Sequence, residues 1–278
     1  MLSKLAHSHR GALAALLVST TSVTATCAIS PRQEVELGQQ YAADINRQLP
    51  IVTDPALDRY INAVGNQLAQ YGQRNFGYRF YIVNTDQVNA FSIPGGFIYI
   101  NRGLIEQTNN LSELAGVLAH EIAHVEERHG AEQIERMQRA NVGLSLAYIL
   151  LGRAPSGLER AAIEVGGAAI FARYSREAEF EADATAVRLL VSAGINPNGL
   201  ATFFSTLLAE RERQPGILEQ WFSTHPTTED RIAQVRSLIR QYPPETLRGL
   251  TVNTEQFNAF KARVQQLPPP PARFRTNR

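Results

Sequence analysis

A short stretch of the sequence, His120-Glu121-Ile122-Ala123-His124, places a carboxylate between two imidazoles. Residues four positions apart in an α-helix differ by about 40° around its axis, so both histidines can reach one metal ion from the same face. Glu121 then projects toward the open side of the ion, where it can take a proton from a bound water and give it to a leaving amine. This spacing is typical of a zinc site for hydrolysis.

The residues around this pattern, Leu111 to Gly130, predict the helix that holds it. Ser112 is a candidate N-cap, Glu113 favours the positive end of the helix dipole, and Gly130 is a residue at which a helix would end. An ordinary amphipathic helix with surface histidines is the alternative interpretation. The apolar residues inside the pattern instead place the histidines toward the core, where imidazoles need partners.

The two histidines do not complete a catalytic zinc site, which needs a third protein ligand and an open position. The position six residues after His124, where a further histidine would complete one ligand pattern, is Gly130. His129 would lie about 140° from His124 around a continuous helix, so we expect it to face elsewhere. The third ligand must therefore come from another element.

A second helix, predicted over Leu158 to Ala193, offers two acids that point inward. Glu179 and Asp183 lie on a stripe that is otherwise apolar. A carboxylate in a core is costly unless it binds a metal or a cationic partner. We therefore assign Glu179 as the third ligand and Asp183 as the residue that orients a ligand histidine. A buried salt bridge to Arg176 or Arg231 is the alternative role for these acids.

His225 follows the predicted metal helix and lies in the segment Ser223-Thr224-His225-Pro226, just before a helix start signal at Thr227. Pro226 disfavours helix at His225, so the imidazole is expected on a short ordered loop that can reach into a cleft. We place His225 in the active site. It would either donate to the oxyanion or occupy the open metal position until substrate displaces it. A histidine that merely caps a neighbouring helix is the alternative.

A candidate substrate strand lies between two predicted strands, Tyr78 to Val83 and Phe97 to Ile100. The segment Ala90 to Ile93 can run as an edge strand that Pro94-Gly95-Gly96 ends. A peptide in extended conformation could pair with this edge at Ser92, Ile93 and Pro94 by strand addition. A hairpin turn without a ligand explains the same residues.

The composition is that of a globular protein. The chain has 278 residues, of which 44% are hydrophobic and 19% charged, enough to bury a sizeable core. Its net charge of +1, without a basic run that contains aromatic residues outside the short C-terminal tail, argues against nucleic-acid binding. We expect one predominantly helical α+β domain over residues 27–267, with a small β-sheet. The Pro-rich tail, residues 268–278, is expected to be disordered.

Residues 1–26 have the charged, apolar and small-residue zones of a secretory signal peptide. An uncleaved membrane anchor is the alternative, but the apolar part falls short of the roughly 20 residues that a spanning helix needs. Cys27 resembles the lipidated cysteine of bacterial lipoproteins, although the residues before it fit the usual pattern imperfectly. Lipidation at Cys27 would attach the protein to a membrane, whereas plain cleavage near Ala25 or Ala28 would not. Both outcomes place it in the periplasm or at the outer membrane.

Four motifs together resemble the HtpX-like zinc metallopeptidases, a family shared with the CAAX prenyl endopeptidases. They lie in the family's order between roughly Gln33 and Tyr242 and read NAFSIPGGFIYINRGLI, LAHEIAHVEERHG, SREAEFEADATAV and STHPTTEDRI. The resemblance implies a zincin-like (gluzincin) fold and one Zn²⁺ ion per chain, with His120, His124 and Glu179 as ligands and Glu121 as base. The multiple membrane spans of HtpX are missing, so the chain looks more like the exported periplasmic or lipoprotein branch.

The sequence thus predicts a zinc-dependent endopeptidase that cleaves misfolded or unassembled proteins in the bacterial cell envelope. The alternative is an envelope binding or assembly factor whose zinc site is structural or held closed. A closed zinc site has four protein ligands and an open one has three and a water, so the ligand set discriminates between the two.

Overall fold

The computed structural model describes residues 29–139, 173–211, 213 and 215–275. The helices in these ranges are α1 (Pro31–Gln48), α2 (Pro55–Ala69), α3 (Arg102–Gln107), α4 (Leu111–Glu126), α5 (His129–Arg139), α6 (Arg176–Ser192), α7 (Asn198–Arg211), α8 (Pro215–Thr224), α9 (Glu229–Ile239), α10 (Pro244–Leu247) and α11 (Glu255–Gln265). The strands are β1 (Arg79–Val83), β2 (Ala90–Ile93) and β3 (Phe97–Asn101). The predicted α+β class, mostly helical with a small sheet, is confirmed.

The three strands form one sheet in the order β1-β3-β2. Strand β3 pairs parallel with β1 and antiparallel with β2, so β2 is an edge strand of this sheet, as predicted. Successive side chains alternate between two apolar clusters. On β2, Ala90 belongs to the larger cluster, which includes α2 and α4, while Phe91 and Ile93 belong to a smaller one with residues of α1 and α5.

Helix α4 lies at the centre of the fold, and every one of its residues is buried. It packs against α6, α7, α2 and the sheet. Its contact with α7 is close, because a Cβ on Gly116 would lie 2.9 Å from the Cα of Leu200. The N-cap is Asn110 and not Ser112 as predicted: the Asn110 Oδ1 atom accepts from the Glu113 N–H at 3.1 Å and from the Ser112 hydroxyl at 2.7 Å.

The C-terminal end of α4 differs from the sequence prediction. The helix ends at Glu126 and not at Gly130, because Arg128 adopts a left-handed backbone conformation with φ of 63°. A side chain that carries a Cβ is strained there unless its surroundings hold it. The Arg128 guanidinium donates to Glu34 at 3.0 Å and to the Ile29 carbonyl at 2.6 Å. The chain therefore turns sharply, and a separate helix, α5, begins at His129.

Three further differences concern the helices after α5. The described part of the predicted long helix starts at Arg176, with Ser175 as its N-cap, and residues 140–172 lie outside the description. Helix α8 was not predicted. Thr228 and not Thr227 caps α9, because the Thr227 hydroxyl accepts from the Trp221 indole N–H at 3.0 Å.

The two ends of the chain bear on the domain prediction. Residues 1–28, with the predicted signal peptide and Cys27, lie outside the described part. The tail is described as far as Arg275, and there it differs from the expected disorder. Phe274 is buried, its carbonyl accepts from the Thr85 hydroxyl at 2.8 Å, and the Pro268 carbonyl accepts from Arg102 at 2.9 Å, so these contacts attach the segment to the domain. No helix in the described ranges has both the length and the apolar character to cross a membrane.

Candidate metal centre

Four buried side chains bring their metal-binding atoms together: those of His120, His124, Glu179 and His225, all within 4.8 Å of one another. The Nε2 atom of His124 lies 3.1 Å from His120 Nε2 and 3.5 Å from Glu179 Oε1. The Nδ1 atom of His225 lies 3.4 Å from His120 Nε2 and 3.1 Å from Glu179 Oε1. The three residues assigned as ligands from the sequence, and His225, thus share one site.

Three elements position these side chains. The centre of α4 supplies the two histidines, and Glu179 lies in the first turn of α6, which packs along α4. His225 follows the last residue of α8, and its backbone N–H still donates to the Trp221 carbonyl at 2.7 Å. Pro226 prevents the helix from continuing, and the His225 ring lies next to the other side chains of the cluster.

Asp183 and Arg231 support the inner side of the cluster. The Asp183 Oδ1 atom lies 3.0 Å from the Nδ1 atom of His120, close enough to influence the orientation of that ring. Arg231 binds Asp183 with two nitrogens, at 2.8 and 2.7 Å, and also contacts Glu179. The guanidinium lies over the Phe204 ring, 4.6 Å from its centroid. The buried salt bridge considered as an alternative for the two acids is therefore present together with the metal-binding cluster.

Arg176, the other basic residue considered for that salt bridge, does not reach the buried acids. It pairs with Asp230, and both side chains are more than half exposed.

The charges around the cluster set the protonation of its members. Burial by itself disfavours the carboxylate of Glu179, but the charges of His225 and Arg231 outweigh it and hold its pKa well below the usual range. Burial also disfavours protonated His120, yet its contacts with Asp183 and Glu179 raise its pKa to about 9. For His124 burial dominates and holds the pKa well below the usual value.

Glu121 is buried beside the cluster. Its Oε1 atom lies 3.5 Å from His225 Nε2, but neither carboxylate oxygen has a hydrogen bond to the described residues. A buried carboxylate without hydrogen bonds is costly unless a further group binds it. A water or a substrate atom beside the metal-binding cluster would supply that partner.

The structure contradicts the expectation that His129 faces away from the site. Its Nδ1 atom lies 2.9 Å from His124 Nδ1, and its Nε2 atom lies 3.3 Å from Glu181 Oε2. The expectation assumed a continuous helix, whereas the left-handed conformation of Arg128 turns the chain back toward the site. No sequence pattern marks this turn, because Arg128 is not a residue type that favours it.

Sequence reasoning also missed Tyr174. Its ring stacks on that of His124, with centroids 3.9 Å apart and an interplanar angle of 16°. Burial raises the pKa of the Tyr174 phenol far above its usual value, so the side chain stays neutral. Tyr174 precedes the cap of α6, where no periodicity distinguishes it from loop residues.

The candidate substrate strand lies beside the cluster. Ser92, Ile93 and Pro94 line one small cavity together with His124 and Tyr174. The Asn101 N–H donates to the Asn89 carbonyl, so the alternation of the antiparallel ladder points the backbone N–H and C=O of Ser92 away from β3. Among the described residues no strand pairs with this edge of β2, although Ser92 is buried.

Two histidines from a His-Glu-x-x-His helix and a glutamate from a second helix define a zincin-like metallopeptidase centre. The sequence profile of Peptidase family M48 matches residues 54–239. The chain belongs to this family.

Three curated relatives show how the similarity is distributed. The chain is 32% identical over 255 residues to the beta-barrel assembly-enhancing protease of Escherichia coli K12, and the match covers 88% of this chain and 50% of the relative. Metalloprotease YcaL of the same strain is 28% identical, over 74% of this chain and 76% of YcaL. Mitochondrial metalloendopeptidase OMA1 of Schizosaccharomyces pombe is 29% identical, over 70% of this chain and 56% of OMA1.

The comparisons also show how much of the relatives the chain covers and to which branch the similarity extends. The chain spans about half the length of the beta-barrel assembly-enhancing proteases that it matches. The comparisons support membership of family M48 but not the HtpX-like or CAAX prenyl endopeptidase branch, so the branch suggested by the sequence motifs is corrected.

Proposed function

We propose that this chain is a zinc-dependent endopeptidase that hydrolyses peptide bonds of misfolded or unassembled proteins in the bacterial cell envelope. The observation that supports it is the buried cluster of His120, His124 and Glu179 next to Glu121, a carboxylate with no hydrogen bond to the described residues. Membership of a peptidase family supports the reaction class. The envelope location is supported by the signal-peptide zones of residues 1–26 and by relatives named for β-barrel assembly.

The residues present fit a zinc ion. Imidazole nitrogens together with one carboxylate are the donor set that zinc prefers, whereas magnesium and calcium prefer oxygen ligands. His120, His124 and Glu179 would hold one ion per chain. When bound, zinc supplies a Lewis acid that polarises the scissile carbonyl and makes water acidic near neutral pH.

The protein's own groups would perform the proton transfers and position the substrate. Glu121 would take a proton from the attacking water and pass it to the amine of the leaving peptide. A substrate strand would pair with the outward N–H and C=O of Ser92, beside Ile93 and Pro94, and so bring its carbonyl to the cluster. Because Ser92 is buried, the cleft has to open before an extended peptide can enter.

His225 would regulate this site. One of its ring nitrogens lies within 4.8 Å of the metal-binding atoms of the three proposed ligands, so it can act as a fourth ligand. A fourth protein ligand closes a zinc site to water. We therefore propose that His225 holds the enzyme inactive until substrate displaces it. His225→Ala should then raise the rate of peptide hydrolysis with zinc retained. A lower rate with zinc retained would instead indicate that His225 donates to the oxyanion, and unchanged kinetics would remove it from the mechanism.

The decisive test of the function is degradation of an unfolded reporter protein by the wild type and by Glu121→Gln, each with and without a chelator. The wild type should cleave the reporter and lose this activity with the chelator. Glu121→Gln should be inactive, with a loss of at least about 10²-fold, but should bind zinc near one ion per chain. Equal cleavage by both proteins would refute the enzymatic proposal, and tight reporter binding without cleavage by either would favour the assembly factor.

The location requires a separate test, because it depends on residues outside the described part. We propose that Cys27 is lipidated after export, so Cys27→Ala should move the protein from a membrane fraction to a soluble envelope fraction. A wild-type protein that is already soluble and begins after Ala25 or Ala28 would contradict lipidation.

A further inference from the structure

We propose that His129 and Glu181 form a hydrogen-bond relay that positions His124 for metal binding. His129 is then a positioning residue of the metal centre, although it neither binds the ion nor touches the substrate. This inference rests on the proposed zinc site and adds to it the means by which one of its ligands is oriented.

The three side chains form a continuous series from the cluster to the surface. His124 directs Nε2 to the other ligand atoms, and its Nδ1 lies 2.9 Å from His129 Nδ1. The opposite ring nitrogen of His129, Nε2, lies 3.3 Å from Glu181 Oε2. The His129 side chain is 6% exposed and that of Glu181 is 60% exposed, so the series begins in the core and ends in water.

The metal-binding form of His124 permits one arrangement of protons in this series. A neutral imidazole that binds a metal through Nε2 has its proton on Nδ1, and it must donate that proton. His129 Nδ1 must therefore be the acceptor, which leaves the His129 proton on Nε2. That N–H donates to the Glu181 carboxylate. Each contact is then a hydrogen bond with one donor and one acceptor, and the lone pair of His124 Nε2 faces the ligand cluster.

Two features of the fold create this arrangement. The left-handed conformation of Arg128 interrupts the helix and brings His129 back against His124. Glu181 lies two residues after the ligand Glu179 on α6, on the side of the helix that faces outward. The ring of His124 is thus held at its edge by His129 and on its face by Tyr174, which stacks on it.

The test compares two substitutions at His129 by measuring the Kd for zinc in competition with a chromophoric chelator. His129→Phe keeps an aromatic ring but removes the acceptor, so we expect the Kd to rise about 10- to 100-fold. His129→Asn can place its carbonyl oxygen near the position of Nδ1, and we expect it to restore most of the affinity. The absorption spectrum of the Co²⁺-loaded proteins should change with Phe and return toward that of the wild type with Asn.

Controls separate this inference from the function on which it depends. Glu177→Ala changes an exposed acid on the same helix that makes no contact with His129, and it should leave the Kd unchanged. Absence of zinc binding in the wild type would refute the metal site itself. Tight binding by the wild type with the same Kd for His129→Phe, or equal losses for Phe and Asn, would refute the relay alone.

A surface variant keeps the relay testable if substitutions at His129 prevent folding. Glu181→Ala removes the terminal acceptor from a half-exposed position, where it should not disturb the core. It should raise the Kd for zinc several-fold and shift the Co²⁺ spectrum, and an unchanged Kd and spectrum would overturn the proposal.

Discussion

The two histidines of α4 occupy equivalent positions one helical turn apart, yet their surroundings differ. His120 faces the buried carboxylate of Asp183, which Arg231 binds with two nitrogens. His124 faces the neutral ring of Tyr174 and the imidazole of His129. The pKa values follow this difference, because contacts with the carboxylates raise that of His120 to about 9 while burial lowers that of His124.

This difference indicates how the two supports should respond to change. The inner support consists of Arg231 and the carboxylates of Asp183 and Glu179, all fully buried, and loss of Arg231 leaves both carboxylates without their cation in the core. The outer support consists of His129 and Glu181, and it ends at the Glu181 side chain, which water can solvate. Substitutions of the inner residues should therefore affect both stability and zinc binding, whereas those of the exposed Glu181 should affect zinc binding alone.

The largest effect is expected at Glu179, which belongs to the inner support and is the proposed third ligand. Glu179→Ala removes the ligand and also leaves Arg231 with one carboxylate fewer. We expect it to abolish stoichiometric zinc binding, measured by metal analysis after gel filtration. Glu177→Ala and Glu181→Ala, on the exposed side of the same helix, should retain near one ion per chain. Equal retention in all three variants would show that Glu179 is not a ligand.

The next effect in size concerns stability. Arg231→Met keeps much of the side-chain volume but leaves Asp183 and Glu179 without their cation, so we expect the free energy of unfolding to fall by about 3–5 kcal/mol. Urea unfolding in the presence of a chelator measures this without a contribution from zinc. Arg176→Met is the matched control, because its partner Asp230 is exposed and such pairs contribute about 0–1 kcal/mol. Similar losses in the two variants would contradict the comparison.

The sequence predicted the inner side of the site better than the outer side, for a physical reason. Helical periodicity placed His120 and His124 on one face and turned Glu179 and Asp183 inward, because these residues lie within regular helices. The position of His129 depends on the left-handed conformation of Arg128, which is neither Gly nor Asn. Helical periodicity extended past this residue therefore predicted the wrong direction for the His129 side chain.

The caps show the same limit of local sequence information. Ser112 and Thr227 are suitable N-cap residues, yet neighbouring Asn110 and Thr228 cap the helices, since the hydroxyl groups of the first two bind other side chains. Which of two nearby candidates caps a helix depends on the other hydrogen bonds that each side chain makes. The packing of Phe274 is a tertiary effect that the Pro-rich composition does not reveal.

A smaller effect, on zinc affinity, is expected at Asp183. Asp183→Asn keeps one oxygen that can accept a hydrogen bond from His120 Nδ1. Arg231 competes for that oxygen, and the neutral amide no longer balances the charge of Arg231. We expect the Kd for zinc to rise about 10- to 100-fold, as is typical when the partner of a ligand histidine is changed. Asp230→Asn, which alters the exposed pair with Arg176, is the control and should leave the Kd unchanged. An unchanged Kd in Asp183→Asn would mean that the charge of Asp183 does not support His120.

The smallest effect is expected at Glu181, where the comparison predicts that charge is not required. Glu181→Gln keeps an oxygen that can accept from His129 Nε2. The Glu181 side chain is 60% exposed, so its charge adds little to the strength of this contact. We expect the Kd for zinc to stay within about twofold of the wild type and the free energy of unfolding within about 0.5 kcal/mol. The same charge removal at Asp183 should weaken binding far more. A loss in Glu181→Gln as large as that in Asp183→Asn would show that both histidines depend on a charged partner, and the distinction between the inner and outer supports would no longer hold.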